Sequence, residues 1–356
     1  MIRFAWLQSR AQTMVAAALL AAAAIALGVT GPPLVHLYDT TVANCTASGN
    51  CPAAIQSLQG SDHFLQLGLN ALIVIVPCLL GLFWGAPLVA HELEAGTFRL
   101  AWTQSVTRAR WLAIRLAIVG LACMAVQGLF SLMVTWWYSP IDRVAQTPFA
   151  SFGSRDLVPV GYAAFAFALG VTVGVLVRRT LPAMAISLAA FITVRLMITY
   201  WARPVLVPPA HQDIVLNPAS TGYGSEGFFP WGVPPSTLQP ASPNIPGAWI
   251  TSVQIVNKSG QPLSTQFLNQ TCPGIGGGGG PGSGGGPGND HSQVSTGAVN
   301  RLDDCVTQVG KTYHEAVSYQ PGNRYWPFQW YELAIYLGIA VLLGGFCVWR
   351  IRRHPG

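Results

Sequence analysis

Long apolar blocks, separated by polar stretches, set the pattern of this chain. Met14 to Val29, Leu65 to Phe83, Leu112 to Trp137, Val158 to Val177, Leu181 to Tyr200 and Trp330 to Trp349 each approach the roughly 20 residues that an α-helix needs to cross a hydrocarbon core. They predict six transmembrane helices. Gly31-Pro32-Pro33 is expected to end the first, and Pro77 to kink the second. The third closes in Trp136-Trp137-Tyr138, an aromatic cluster of the kind found at membrane interfaces. Only Arg178-Arg179-Thr180 separates the fourth block from the fifth, which predicts a tight helical hairpin with Pro182 in the first turn of its second helix. The sixth has tryptophan at both ends, and Arg350, Arg352 and Arg353 follow it directly as in a stop-transfer segment. Arg3 and Arg10 before the first block would suit a signal peptide, but Phe4, Trp6 and Leu7 and the lack of a clear small-residue cleavage site favour an uncleaved anchor.

Composition agrees with that pattern. Hydrophobic residues make up 51% of the chain and charged residues 9%, against about a quarter charged in a soluble domain, so a water-soluble surface is hard to build. The net charge of +6 raises the question of nucleic acid. Its basic residues are scattered between apolar blocks, with no basic run or helix face, so no nucleic-acid partner is expected. Their distribution sets an orientation instead. Arg3, Arg10, Arg99, Arg108, Arg110, Arg115, Arg178, Arg179, Arg350, Arg352 and Arg353 fall on one side of the six spans. By the positive-inside rule that side is the cytoplasm, so both termini face inward and the chain is a multi-pass protein of the cell membrane.

Cysteines test this orientation from a different direction. Cys78, Cys123 and Cys347 lie within spans, whereas Cys45, Cys51, Cys272 and Cys305 all fall on the outer side, where an even set permits disulfides. Four cysteines allow three pairings. Cys45 with Cys51 and Cys272 with Cys305 closes local loops, and free thiols are the alternative. The expected fold class is an all-α polytopic membrane protein, six transmembrane helices with N and C termini inside, carrying a large irregular extracytoplasmic insert between helices 5 and 6. Residues 1–200 hold helices 1–5 and a cytoplasmic loop at 84–111, residues 201–328 form the insert, and residues 329–356 hold helix 6 and a basic tail. Within the insert, the Gly-rich stretch 274–288 has too little apolar surface to offset the entropy of ordering and is expected to be a flexible linker.

The stretch between the second and third spans carries the most specific motif. It contains an acidic pair, Glu92 and Glu94, beside His91, then Gly96-Thr97, the apolar run Phe98 to Trp102 interrupted by Arg99, and Gln104-Ser105-Val106-Thr107 leading to Arg108 and Arg110. Ser105 or Thr107 suits an N-cap for the third helix. As a physical object the stretch reads as a docking element, with apolar anchors at Phe98, Leu100 and Trp102 and charge complementarity from Glu92, Glu94 and Arg99. A solvated loop with internal ion pairs is the plainer alternative.

This order and spacing resemble the ABC-2 permease family, and the six spans extend the resemblance over most of the chain. The resemblance implies an exporter of a hydrophobic or amphipathic compound, assembled as a dimer with a second permease copy or paralogue in the lipid bilayer. It also implies a separate ABC ATPase subunit that holds ATP and Mg, with no cofactor and no enzymatic site in this chain. His91, Glu92, Glu94, Gly96, Thr97, Phe98, Arg99, Trp102 and Gln104 would then couple the two subunits. A short basic helix over Ile2 to Arg10, lying in the membrane interface, fits the same family, and a plain basic flank to the first span is the alternative.

Other polar residues bear on mechanism. Arg195 is a full charge within the fifth span, so it either serves a pathway or the structure, or snorkels to the nearby outer interface. Gln127 and Asn70 read as interhelical hydrogen-bonding groups. No Asp or Glu falls in the middle third of a span, which argues against a carrier coupled to protons or sodium. Gly310-Lys311-Thr312 lacks the preceding glycine of a phosphate-binding loop, since Cys305 stands in its place. His36, His63, His211, His291 and His314 show no metal-ligand spacing. Two other readings keep the topology and change the function: a non-transporting scaffold or sensor that binds a ligand through the insert, and a membrane enzyme recruiting Asp303, Asp304, His314 and Glu315.

Overall fold

A computed structural model describes residues 10–42, 45, 57, 58, 60, 63–87, 108–144, 147–216, 243, 245–272 and 296–353. The chain divides into two compact units, Met1–Leu206 with Asn323–Gly356, and Val207–Gly322. In the first unit, six helices are long and apolar enough to cross a membrane. They are built on α1 (Arg10–Leu37), α2 (His63–Leu80), α3 (Arg108–Asp142), α4 (Val158–Val177), α5 (Thr180–Met197) and α8 (Tyr325–Arg353). π-helical turns extend three of them: Tyr38–Val42 after α1, Gly81–Gly85 after α2 and Ile198–Ala202 after α5.

The axis of this unit is α4. Its sequence alternates Ala, Gly, Val and Phe without a polar face, and it is buried on almost every side, as a helix apolar all round should be. Small residues let its backbone meet that of the second span. A Cβ on Gly81 would lie 2.6 Å from the carbonyl oxygen of Ala166, and one on Gly85 would lie 2.7 Å from that of Phe167. Leu80, Trp84, Cys123, Phe167 and Val171 form one core beside this contact, and Leu27, Leu34, Ile73, Phe130, Val134 and Trp137 form another. In membranes such close approach is a main source of helix association, because lipid tails are as apolar as the side chains they would replace.

Three boundaries differ from those read in the sequence. Gly31-Pro32-Pro33 does not end α1, which continues to Leu37. Packing explains the continuity. A Cβ on Gly31 would come within 2.9 Å of the Trp136 ring, so the missing side chain admits α3 closely, and the Trp137 indole N–H donates to Thr30 Oγ1 at 3.0 Å. Neighbouring helices supply contacts that proline's lost hydrogen bond removes. Trp137 and Tyr138 are consequently buried core residues, the Tyr138 hydroxyl donating to the Gln66 carbonyl at 3.3 Å, while Trp136 stays exposed. A double-mutant cycle of Trp137→Phe with Thr30→Val is expected to give a coupling of about 0.6 kcal/mol, the usual size for an interhelical hydrogen bond in a membrane protein. Thermal unfolding in micelles measures it, and zero coupling would mean the bond does not hold α1 to α3.

The other two boundaries lie at helix ends. α3 runs past Trp137 to Asp142, and α8 begins at Tyr325, one and a half turns before Trp330. The hairpin between α4 and α5 is as tight as its sequence suggests. Arg178 takes a left-handed conformation (φ 58°) and donates its N–H to the Gly174 carbonyl at 3.1 Å, after which Arg179 is extended.

The second unit corrects the expectation that the fold is all-α and that the stretch between the fifth and sixth spans is irregular. It contains β1 (Ala210–Val215), β2 (Trp249–Asn257), α6 (Thr265–Thr271), α7 (Thr296–Gly310) and β3 (Tyr313–Gln320), the strands forming an antiparallel sheet in the order β1-β3-β2. The β2 sequence Trp-Ile-Thr-Ser-Val-Gln-Ile-Val-Asn is rich in β-branched residues, which suits a pleated surface. Leu216, Ile255, Leu268, Val306, Val309 and Tyr313 make its core. A disulfide joins Cys272, at the end of α6, to Cys305 in α7. Cys45 is disulfide-bonded as well, while Cys51 lies outside the described residues, as do the stretches 2–9 and 274–288.

Candidate functional site

Polar side chains gather in the helical unit where α3 gives way to α4. Thr147 opens a 3-10 turn over Pro148–Ser154 by accepting a hydrogen bond from the Phe149 N–H at 3.2 Å. Phe149 and Phe152 on that turn pack edge-on against Tyr325 and Phe328 of α8, with ring centroids 5.5 to 6.4 Å apart. Arg155 then pairs with Asp142. Asp156 takes a left-handed conformation (φ 64°), which aspartate tolerates better than most residues. Its carboxylate accepts hydrogen bonds from the Tyr325 hydroxyl and from Thr135 Oγ1.

Gln329 of α8 ties this turn to the start of α4. The first N–H groups of a helix have no partner within it, and here the Gln329 Oε1 accepts from Leu157 N at 3.2 Å and Val158 N at 3.0 Å. Its amide nitrogen donates to the Phe152 carbonyl at 3.1 Å and to the Tyr325 hydroxyl at 3.2 Å. One buried side chain thus caps α4 and holds it to α8.

Two turns along α8 from Tyr325, Glu332 is fully buried. Arg203 grips it bidentately, Nε to Oε2 and Nη2 to Oε1, both at 2.9 Å, and the Tyr162 hydroxyl donates to Oε1 at 3.1 Å. The π-helical turn Ile198–Ala202 has more residues per turn than an α-helix, which rotates Arg203 back toward the stripe that carries Arg195. Arg203 lies over the Phe152 ring at 4.6 Å and Arg195 over the Tyr162 ring at 4.7 Å. The Arg195 guanidinium is therefore directed into the bundle, onto a ring that is itself fully buried, and not outward as snorkelling requires. Tyr336, one turn beyond Glu332, packs edge-on against Tyr162 at 4.9 Å.

Of the residues singled out in the sequence, Arg195 belongs to this cluster, and Gln127 donates to the Ile73 carbonyl at 3.3 Å, joining α3 to α2. Asn70 hydrogen-bonds through its side chain to Tyr138 of α3, as expected of an interhelical group, while its buried Oδ1 makes no hydrogen bond among the described residues. His91, Glu92, Glu94, Gly96, Thr97, Phe98, Arg99, Trp102 and Gln104 lie outside the described residues, as do Ser105 and Thr107. Of the residues of the enzyme reading, Glu315 is fully buried, whereas its neighbour His314 points to the other face of β3 and lies 3.5 Å from Asp213.

Glu332, Arg203, Tyr162, Tyr336 and Gln329 were not found by sequence reasoning. Arg203 fell within the stretch 201–328 assigned to the insert, and Glu332 lay near the start of a last span bounded at Trp330 and drew no separate reading. The run Tyr325-Trp326-Pro327-Phe328 just before it was the available signal that the helix begins earlier.

Six apolar helices packed around a small-residue axis make this an integral membrane protein. The model of the ABC-2 membrane transporter related family matches residues 17–203, more than half of the chain, and the chain belongs to that family. It is thereby a transporter's membrane subunit. No curated protein and no solved structure matches it.

Proposed function

We propose that this chain is the permease subunit of an ATP-driven ABC-2 transporter of the cell membrane, exporting a hydrophobic or amphipathic compound. The observation that carries the reading is the family match. It covers most of the first five spans and the stretch between α2 and α3, which holds the acidic pair Glu92 and Glu94, Gly96-Thr97 and Trp102. The family normally works with an ATPase partner, which would hold ATP and Mg and meet the permease at this stretch on the cytoplasmic side. Two permease copies, or this chain and a paralogue, would enclose the path. Wide apolar faces on α5 and α8, with Ile192, Leu196, Trp326, Trp330 and Val341 exposed, suit such a partner and such a cargo.

The loop is continuous with the π-helical turn Gly81–Gly85, which touches α4 backbone to backbone. Force applied to the loop by closing ATPases would reach α4 through that contact and change the relative stability of two bundle arrangements, which bind cargo differently. Trp102→Ala combined with Glu92→Arg tests the docking step. The double variant is expected to insert normally and to lose at least nine-tenths of the ATPase that co-purifies with the wild type from solubilised membranes. Undiminished co-purification, with hydrolysis still responding to the permease, would defeat the assignment.

A further inference from the structure

The sheet of the second unit has two edges, and they are finished differently. Beyond Asn257 the chain folds back along the outer side of β2: the Leu263 N–H donates to the Ile255 carbonyl at 2.9 Å and Val256 bridges to Pro262. A register shift between Ile250 and Ser252 interrupts the same strand. A covering turn, a proline and a bulge all keep an edge from pairing with another chain. β1, the opposite edge, has none of them. It pairs with β3 in unbroken register from Ala210 opposite Tyr319 to Val215 opposite His314, and no strand among the described residues lies on its outer side. Half of its backbone N–H and C=O groups point that way. His211, Gln212, Asp213 and Val215 are exposed.

The residue order of β1 is complementary to itself. Directly opposite residues in a sheet share a face, so two antiparallel copies with their helix-covered faces on one side set His211, Asp213 and Val215 against one another, and Ala210, Gln212 and Ile214 likewise. With Gln212 opposite Gln212 of the second copy, His211 faces Asp213 twice over, and Ala210 meets Ile214 on the other face. Centring the pair on Asp213 would oppose two carboxylates, and centring it on His211 would oppose two imidazoles. Opposite charges across a ladder are favourable and like charges are not. Both groups have capacity left for this contact. The Asp213 side chain is 73% exposed and lies 3.5 Å from His314, while His211 meets Ser318 through Nδ1 at 3.0 Å, which leaves Nε2 for a carboxylate.

We propose that β1 is a docking edge for a second copy of this chain, pairing antiparallel with its β1 about Gln212 to give one sheet in the order β2-β3-β1-β1-β3-β2. Backbone hydrogen bonds supply the attachment, and the two His211–Asp213 contacts select the register. A two-fold contact uses the same patch on both subunits, so a single self-complementary strand suffices. The identity of the occupant rests on the two-copy reading above, and the self-complementary order favours an identical copy over a paralogue.

Cysteine cross-linking of the full chain in membranes of the expressing cells tests the pairing. Wild type, whose Cys45, Cys272 and Cys305 are already disulfide-bonded, sets the background. Oxidation of Gln212→Cys is expected to link most of the protein into dimers, because directly opposite residues hold their Cα atoms about 4.5–5.5 Å apart, within disulfide reach. His211→Cys and Asp213→Cys, each alone, should link at least about fivefold less, since each faces the other position. Differently tagged His211→Cys and Asp213→Cys copies, expressed together, should link to each other as well as Gln212→Cys does. Added to Gln212→Cys, Asp213→Arg should cut the yield severalfold, and further addition of His211→Asp should restore it. Equal yields from the three single cysteines would mean random collision, linkage to a different protein would give the edge to another partner, and no linkage would leave the edge unpaired. Each of these overturns the proposal. The mass of the solubilised wild type separates the failures: a monomer defeats the two-copy reading as well, whereas a dimer that does not link at position 212 defeats the strand pairing alone.

Discussion

Glu332→Ala is expected to destabilise the helical unit by about 3–5 kcal/mol, because it strands one buried charge and one buried hydroxyl together. Arg203 would keep its position against the Phe152 ring with no counterion, and the Tyr162 hydroxyl would lose its acceptor. Taking the guanidinium back to water would require pulling the turn after α5 away from α8. The conservative Glu332→Gln retains an acceptor for Tyr162 but not the charge, and its loss should fall between wild type and Glu332→Ala. Replacing both partners distinguishes a pair that stabilises from a pair that merely must not be broken. Arg203→Met with Glu332→Met removes the desolvation cost along with the attraction, and buried pairs exchanged in this way are often neutral or better. The expected order of melting temperatures in micelles is therefore double variant near wild type, then Glu332→Gln, then Glu332→Ala. A Glu332→Ala variant within about 1 kcal/mol of wild type would mean that water reaches the pair, since exposed ion pairs are worth no more than that.

The same pair shows where reading the sequence stopped. Span positions were legible because hydropathy integrates over about twenty residues and tolerates local exceptions, and the fourth span, free of charged residues, matched to the residue. Boundaries were less legible. Gly31-Pro32-Pro33 would break a helix in water, yet Trp136 and Trp137 of another helix hold it, and nothing local to Pro32 says so. Arg203 and Glu332 are far apart in sequence, and neither stands in a motif that singles it out. Only the early start of α8 and the π-helical turn after α5 bring them together. Arg195 stood out by itself as a charge within an apolar block, but its direction was undetermined until Tyr162 was placed beneath it. The sheet of the second unit was missed for a different reason. The density of Gly and Pro between Tyr200 and Trp330 masked the alternation in β2 and β3, whose strands pair across a long separation.

Gly170→Ala is expected to cost about 3 kcal/mol, at the upper end of what overpacking produces, although it adds a single methyl group. A Cβ there would lie 2.4 Å from the Gly81 carbonyl oxygen and 3.0 Å from the Ala86 amide nitrogen. Both obstacles are backbone, so no rotamer change relieves them and the two helices must separate. Separation would also open the opposing contacts of Gly81 with Ala166 and of Gly85 with Phe167, and loosen the core of Leu80, Trp84, Phe167 and Val171. A control lies on α2 itself. Gly68 has no atom within 4 Å of the position a Cβ would take, so Gly68→Ala should be neutral or stabilising by up to about 1 kcal/mol through helix propensity. Helix propensity favours alanine at both sites, so the contrast isolates the interhelical contact. Because Gly81–Gly85 leads into the loop assigned to ATPase docking, Gly170→Ala should further weaken the dependence of hydrolysis on the permease while leaving co-purification intact. Comparable melting temperatures for the two glycine variants would mean that α2 and α4 are not in backbone contact, and the route proposed from loop to bundle would lose its first step.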